Sequence, residues 1–547
     1  IAGGELNVIQ NSFKSAIAGG ASNDISSSVN SFIGGGESND IFASPRSSIL
    51  SGRVSLIQNA PDSTILNSGA SNGAKILSGS DASLAAGGGT IIYDSKNSIA
   101  FNTSTILSKS RHSIALGGGE IKNSPYAFLG TGENNKIYGS TLTTHGLYNT
   151  ILNGTQNHIN ASENAFIGFG DSAIISGSDN AAILSGDGQS NDRVQILNSN
   201  HSFIGVVEQY TYIYDSPNSV ILSGGTNMIS ASVSVGSSNG QNVIIGGSGN
   251  DMIPVAFNGK PPQYNLMGVG YQNKMYGATY SVIMGGYQNE ISSSSVVALN
   301  NYNASVGNFI GSGFYNCIKN GVGSYSSIVG GYENVINSST SAYSYTFIGG
   351  GRDNHIKDTE YSSILGGRYN QIPDDIDDVF IIGSNITASV SNTTFVENLR
   401  PTTNIYIGND KAIWMRNNAD NADTSAIFTN TSDELVLRTG GSTDSLKINT
   451  SGNATFAGDV SAANGFYPDA DDGAQLGNAS LRFSELFAVR TITGGVFETG
   501  LRTQKIGDNP TGTVVVWRED GLVPCDSNED ELVMGVIEKG KDEPIIM

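Results

Sequence analysis

A short motif returns along most of this chain, and its spacing leaves few folds open. The unit is apolar-x-(Gly/Ser/Asn)-Gly-x-x-Asn-x-apolar. It opens the chain as IAGGELNVI from Ile1 and recurs as IAGGASNDI from Ile17 and IGGGESNDI from Ile33. Later copies are ILNGTQNHI from Ile151, IMGGYQNEI from Ile283, IVGGYENVI from Ile328, IGGGRDNHI from Ile348 and ILGGRYNQI from Ile364. Looser copies start at Leu129, Ile221, Ile244, Met267 and Ile310. The seventh position is Asn in 13 copies: Asn7, Asn23, Asn39, Asn135, Asn157, Asn227, Asn250, Asn273, Asn289, Asn316, Asn334, Asn354 and Asn370. Ile1, Ile17, Ile33, Ile49 and Ile65 follow at intervals of 16, and elsewhere the interval stretches to between 17 and 27, as if residues were inserted at one corner. Degenerate copies such as ILSGRVSLI from Ile49 keep the apolar ends and lose the Asn.

Sixteen residues are too few for a repeating helix pair. With 70 glycines the chain is also a poor helix former. The length suits one coil of a β-solenoid, with two short strands and two tight turns. The first strand reads S-x-I-x-G. Gly-x-x-Asn makes the turn, since Gly and Asn tolerate positive φ. The second strand carries the closing apolar residue. Matching Ile residues then stack coil on coil into a thin core. Matching Asn residues are placed to form a ladder, each amide bonding to its neighbour along the axis. At about 4.8 Å per coil, some twenty coils give a rod of roughly 100 Å. One coil buries little apolar surface by itself, so lateral partners are expected, and a homotrimer is the expected assembly.

Composition narrows the function. Charged residues are 14%, against about 25% in ordinary soluble proteins. Hydrophobic residues are 38%, too many for a disordered chain. No apolar run approaches the roughly 20 residues of a membrane span, so membrane insertion is not expected. The net charge of −21 is uneven. Residues 1–372 carry 16 Lys and Arg against 22 Asp and Glu, a net of −6; residues 373–547 carry 12 against 27, a net of −15. Neither part has the basic stripe that nucleic acid requires. Cys317 and Cys525 lie far apart in unlike segments, so no disulfide framework is expected. The chain starts at Ile1, already inside a repeat, and reads as a fragment or processed product.

The segments SAIAGG, HSIALGGG, SSILSG and SSILGG resemble the head repeats of trimeric YadA-type adhesins. Those form left-handed β-rolls with three chains side by side, and similar repeats occur in bacteriophage tail fibres. The resemblance covers residues 1–386 and implies architecture more than function. An acidic run at Pro373–Asp378 marks the approach to a boundary. Residues 387–465 read as a strand-rich fibre shaft. Within it Ile448, Gly452, Asn453, Phe456 and Gly458 resemble a motif of tail-fibre shafts. Residues 466–505 resemble the connector that precedes the terminal domain of such fibres, through Leu476, Gly477, Arg482, Phe483, Leu486 and Phe487; Phe483 stands where Trp is more usual. Residues 506–547 alternate as strands and look like a small, incomplete β domain of fibre and spike proteins, some of which self-cleave. The expected fold class is therefore all-β: a β-solenoid rod, a strand-rich shaft and a small β domain.

Catalytic and metal constellations are weak. His112, His145, His158, His201 and His355 form no metal-like pair, and Cys and His never cluster. Glu37, Glu133, Glu290 and Glu333 read as solvated turn carboxylates rather than a glycosidase pair. The GGG runs at 34–36, 87–89, 117–119 and 349–351 lack the Gly-Lys-Ser/Thr ending of a phosphate loop. Asp469, Asp471, Asp472 and the Asp374–Asp378 run miss the spacing of a calcium loop. No cofactor and no catalysis are expected. One column does change character. Five residues into successive copies stand Tyr271, Tyr287, Phe314 and Tyr332, then Arg352 and Arg368, with Tyr315 and Tyr369 one position on. Such a strip offers flat aromatic faces and cations for sugar stacking or a protein contact. It would equally serve as a stacked ladder that stiffens the rod or packs in the trimer. These features point to a virion tail fibre, extracellular, joined to other tail or baseplate proteins and contacting a host cell-surface glycan or protein. The alternatives are a trimeric adhesin on a bacterial cell surface and a tailspike that cleaves surface polysaccharide.

Overall fold

The computed structural model describes residues 1–399 except 70–71, 140–147, 188–192, 231–240, 254–263, 294–304, 321–324 and 339–344. It further describes Ile405, most of 412–461 outside its turns, Ser480, and the strands between 514 and 546. The chain forms two compact units, Ile1–Thr402 and Thr403–Met547. Among the described residues there is no helix.

The first unit is a parallel β-solenoid. Each coil runs through a first strand such as Ala16–Ile17, a turn, a second strand such as Asp24–Ser26, and a second turn back to Phe32–Ile33. First strands stack on first strands, so Ile17, Ile33, Ile49 and Ile65 stand in register. Ile9, Ile25, Ile41 and Ile57 do the same in the second strands. One inward residue per strand is fully buried in coil after coil, as with Ile25, Ile33, Ile41 and Ile49. Each such Ile contributes about 1.5–3 kcal/mol by leaving water. In the coils through Ala85, Ala100 and Ala115 the inward residue of the first strand is Ala. There the Gly-x-x-Asn turn is absent, and only seven, six and six positions separate them from Ile92, Ile106 and Ile121, against eight from Ile17 to Ile25. A shorter coil encloses less volume, and a smaller side chain fills it.

Both turns carry internal polar columns over long stretches, interrupted at the Gly-Asn turn by Ala74, Ala173 and Val194. At the Gly-Asn turn, the Asn23 Oδ1 accepts from the Asn39 backbone N–H at 3.1 Å and from the Asn39 Nδ2 at 3.0 Å. The Asn23 Nδ2 in turn donates to the carbonyls of Gly19 and Gly36. The same pattern runs without a break from Asn227 through Asn250, Asn273, Asn289, Asn316, Asn334 and Asn354 to Asn370. Asn135 and Asn157 are linked through the Asn157 backbone N–H. The opposite turn uses serine. Ser31 and Ser47 each accept the backbone N–H one coil on, from Ser47 and Ser63, while donating to the carbonyls of Ser44 and Ala60. Ser12, Ser28 and Ser44 form a second such file. These columns satisfy backbone groups that a coil this thin cannot expose to water.

The two outer faces differ. On the first strands the residues flanking the buried one are uncharged throughout, from Ala16 and Ala18 to Phe380 and Ile382. They alternate between two patterns. Phe32, Phe166, Phe309 and Phe347 each precede a glycine by two, and a Cβ on Gly34, Gly168, Gly311 or Gly349 would lie 3.3–3.4 Å from the ring's Cε1. In the intervening coils a small residue precedes an exposed aliphatic one, as at Leu50, Leu184 (42% exposed), Leu222 (44%) and Leu365. The result is an uncharged, largely apolar face, broken by the hydroxyls of Ser48, Thr64, Thr150, Ser327 and Ser363. The second strands instead present Asp24, Asp40, Lys75, Glu120, Lys136, Asp251, Lys274, Glu290 and Lys357.

One carboxylate on that charged face opposes the fold. Asp24 stands in register with Asp40, its Oδ1 is buried without a partner, and burial raises its pKa above the usual 3.8. A raised folded pKa means that the native state holds the proton more tightly, so stability falls as pH rises past 3.8 toward the folded value. Asp24→Asn is therefore expected to melt higher than the parent at pH 7. The gap should narrow as pH drops through that window and close below it. A gap independent of pH would contradict this reading of Asp24.

The repeat motif fades at Ile386, but the stack takes one more strand: Thr394–Val396 pairs with Phe380–Ile382. The longer intervals also fall at two corners, not one. By sequence position 140–147, 231–240, 254–263, 294–304, 321–324 and 339–344 follow second strands, whereas 70–71 and 188–192 follow first strands. In the second unit an antiparallel meander runs through Ala412–Arg416, Asp423–Thr429, Leu435–Thr439, Asp444–Ile448 and Ala454–Phe456. Ala426 and Val436 are its buried centre. The turn at Gly452 and Asn453 is closed by Asn449, whose Oδ1 accepts from the backbone of Ser451 and Asn453. A separate sheet joins Val514–Arg518 to Gly521–Pro524 and Val533–Lys539, with Pro544–Ile546 at its edge. The connector motif around Leu476–Phe487 lies outside the described residues.

Candidate functional site

The turn between first and second strands brings the aromatic and basic column together. Tyr271 pairs with Tyr287, and single bridges continue through Phe314, Tyr332, Arg352 and Arg368. The side chains stand on the surface of the single chain, Tyr271 at 45%, Phe314 at 53% and Tyr332 at 38% exposed. Their faces, however, are turned to one another. Tyr271 stacks on Tyr287 at 5.3 Å and 15°, and Tyr287 on Phe314 at 5.9 Å and 29°. The Arg352 guanidinium covers Tyr332 at 5.4 Å and lies 5.9 Å from the Tyr369 ring. Its Nε also meets the Asp353 carboxylate at 3.0 Å. Stacking at one-coil spacing covers one face of Tyr271, one face of Phe314 and both faces of Tyr287.

Tyr315 is the exception. It sits one residue beyond Phe314 in the left-handed region (φ 57°), and its ring stands edge-on to Tyr287 (74°) and Tyr332 (77°). Partial burial, then the neighbouring Tyr315, raise the Tyr287 phenol pKa; a hydrogen bond to Glu333 raises that of Tyr332. Both phenols stay protonated at neutral pH and can donate as well as accept.

Sequence reasoning missed a second aromatic ladder, on the serine turn. Tyr264 stacks on Tyr280 at 5.1 Å, and Tyr325, Tyr345 and Tyr361 stack in series at 5.4 and 5.3 Å. His112, Tyr126 and Tyr148 form another at 5.1 Å steps. Each ring stands three positions before the buried residue of a first strand, as in YSSI and YTFI. That offset was the available signal, and variable insertions on the same side obscured it.

The other candidates divide. Glu37, Glu133 and Glu333 lie between the Gly and the Asn of the Gly-Asn turn, Glu133 pairing with Thr155 one coil on, but Glu290 opens the second strand Glu290–Ser293 and is not a turn residue. Among the described residues no three His, Cys, Asp or Glu side chains gather as metal ligands. His145, Asp469, Asp471 and Asp472 lie outside the described residues. Burial, followed by Lys136 and Arg193, holds His158 below its ordinary pKa. Burial first, then Glu290, pushes the Cys317 thiol up to about 12, so it is no thiolate nucleophile at neutral pH. No helix among the described residues is long and apolar enough to cross a membrane. No protein-family model and no curated protein matches this chain.

Proposed function

We propose that this chain is a structural virion protein, a bacteriophage tail fibre that contributes to host-surface attachment and carries no catalysis of its own. The supporting observation is an unbroken parallel solenoid with one apolar face and one charged face. In a solenoid of this kind each inner coil is held by two neighbours, so stability accumulates along the stack. Such a rod displays side chains along a line. The resemblance to adhesin head repeats and fibre shafts supplies the biological setting. Antibodies to the purified chain should label tail appendages of intact virions in electron micrographs. Labelling confined to the surface of uninfected bacteria would overturn the tail-fibre reading in favour of an adhesin.

The working form is a homotrimer. A largely apolar exposed surface of this length calls for a cover. Its features repeat at the coil spacing, and a second copy of the same rod repeats identically. Closed symmetry limits the number of copies, and the adhesin resemblance implies three. Leu184→Glu with Leu222→Glu places charge on that face in two coils, and neither residue belongs to the Ile columns. Native mass spectrometry should then show monomer in place of trimer, with the strand signature in circular dichroism kept. A parent protein that is monomeric at micromolar concentration would rule out the trimer.

A further inference from the structure

One position of the Gly-Asn turn breaks its own pattern, and the break opens a groove on the charged face. Thr226, Gly249, Gln272 and Gln288 occupy the same place in successive coils, all in the left-handed region at φ 53°, 67°, 54° and 51°. The Gln288 Nε2 donates to the Gln272 Oε1 at 2.6 Å, so the two amides form a short ladder. Gly249 has no side chain to continue it, and a Cβ there would lie 3.2 Å from the Gln272 Cγ. The space left is a groove of about 390 Å³ lined by Gly249, Asp251, Gln272, Lys274, Gln288 and Glu290. That falls within the roughly 300–1,000 Å³ range of ligand sites.

We propose that this groove binds hexose units of a neutral surface glycan, a proposal that rests on the attachment reading and names the chemistry of its contact. Asp251, Lys274 and Glu290 stand in register on adjacent second strands, giving acceptor, donor and acceptor one coil apart. Burial raises the Asp251 pKa and Lys274 draws it back, so a neutral donor at the groove meets a carboxylate that water solvates poorly. A sugar hydroxyl both donates and accepts, and paired amides beside carboxylates answer both functions. Tyr271 and Tyr287 precede the two glutamines and set a stacked aromatic edge beside the groove. Two carboxylates against one ammonium disfavour a phosphate or an acidic sugar. A polar lining gives an apolar ligand nothing to replace water with. A second groove, of about 740 Å³, lies where Thr105, Glu120 and Lys136 stand in register on the second strands. Two sites on one face let a polymeric glycan bind through several weak contacts. Both lie on the second-strand face, away from the apolar face assigned to the trimer.

The test uses the full-length assembled chain, titrated calorimetrically with neutral hexose oligosaccharides and, separately, with uronic-acid oligosaccharides and inorganic phosphate. Saturable binding of the neutral set alone is expected. Gly249→Gln extends the amide ladder in a conformation that glutamine already adopts at 272 and 288, and fills the groove. It should weaken binding at least tenfold while lowering the melting temperature by only a few degrees, the cost of the positive φ and of the 3.2 Å approach to the Gln272 Cγ. Glu290→Gln should weaken it tenfold while leaving the groove open. No saturable neutral-sugar binding, preference for the acidic set or for phosphate, or full binding by both variants would each overturn the proposal. Tail labelling of virions decides the attachment reading independently, so the groove can fail while the fibre stands.

Discussion

Asn289→Ala should open the solenoid locally, at a cost of about 3 kcal/mol. The Asn289 Oδ1 accepts from both the backbone N–H and the Nδ2 of Asn316, at 3.0 and 3.1 Å. Its own Nδ2 donates to the Asn273 Oδ1 and to the carbonyls of Gly285 and Gly313. Alanine removes all five contacts. Gly313 keeps the bond from the Tyr287 backbone N–H, and the Asn316 Nδ2 keeps its bonds to Ser312 and Gly331. The Asn316 N–H is orphaned inside the coil, and each buried group so stranded costs about 1–3 kcal/mol. A solenoid transmits such damage only to its neighbours. Hydrogen exchange should therefore accelerate at Asn316 and Cys317 and in the coils on either side, while Asn23 and Asn39 keep their protection. Equal exchange at Asn316 in parent and variant would remove the Asn column from the list of what holds the coils together.

Gly20→Ala and Gly19→Ala, one residue apart, should behave oppositely. Gly20 has φ 96°, and a Cβ there would overlap the Gly36 carbonyl oxygen and sit 2.8 Å from the Asn23 Nδ2. That oxygen is backbone in the next coil and cannot step aside without breaking the Ala21 N–H bond to it. Positive-φ strain costs about 1–3 kcal/mol, and forced overpacking a similar amount. The sum is about 2–6 kcal/mol. Gly19 meets nothing within 4 Å, and its alanine variant loses only conformational freedom in the unfolded chain. Gly19→Ala should then melt within a degree or two of the parent or slightly above it, a gain of up to about 1 kcal/mol. Thermal denaturation followed by circular dichroism separates the two. Comparable midpoints for both variants would mean that the close approach of coils at Gly20 is not what limits that turn.

Much of the solenoid was legible because its determinants are periodic. A 16-residue interval places Ile17, Ile33 and Ile49 at one phase of the coil, and a parallel stack must then bring them into register. The same phase argument brings Asn23 and Asn39 together. It holds wherever the interval is conserved between turn and strand, as from Asn273 to Asn289, and it survives the 27-residue interval to Asn316 because the extra length lies outside the motif. The second unit was legible as short strands, but their antiparallel order is a matter of pairing partners that alternation alone does not name.

What only the tertiary structure decided concerns direction rather than position. The pattern places Tyr271, Tyr287 and Phe314 on one line, but one-coil spacing stacks the rings on one another, and so the faces between them close. The serine files read in the sequence as strand openings, yet their hydroxyls replace a turn's missing backbone partners in the next coil. Phe32 lies over Gly34, where the Leu50 backbone of the adjoining coil also closes in, a relation that spans 16 residues. Gly249 reads as one glycine among 70, and becomes a groove only where Gln272 and Gln288 rise beside it. In each case the sequence by itself determined which residues share a face, because backbone periodicity sets the phase. Side-chain orientation, and with it the site, waited on contacts between coils, because a rotamer is chosen by the neighbour above and below.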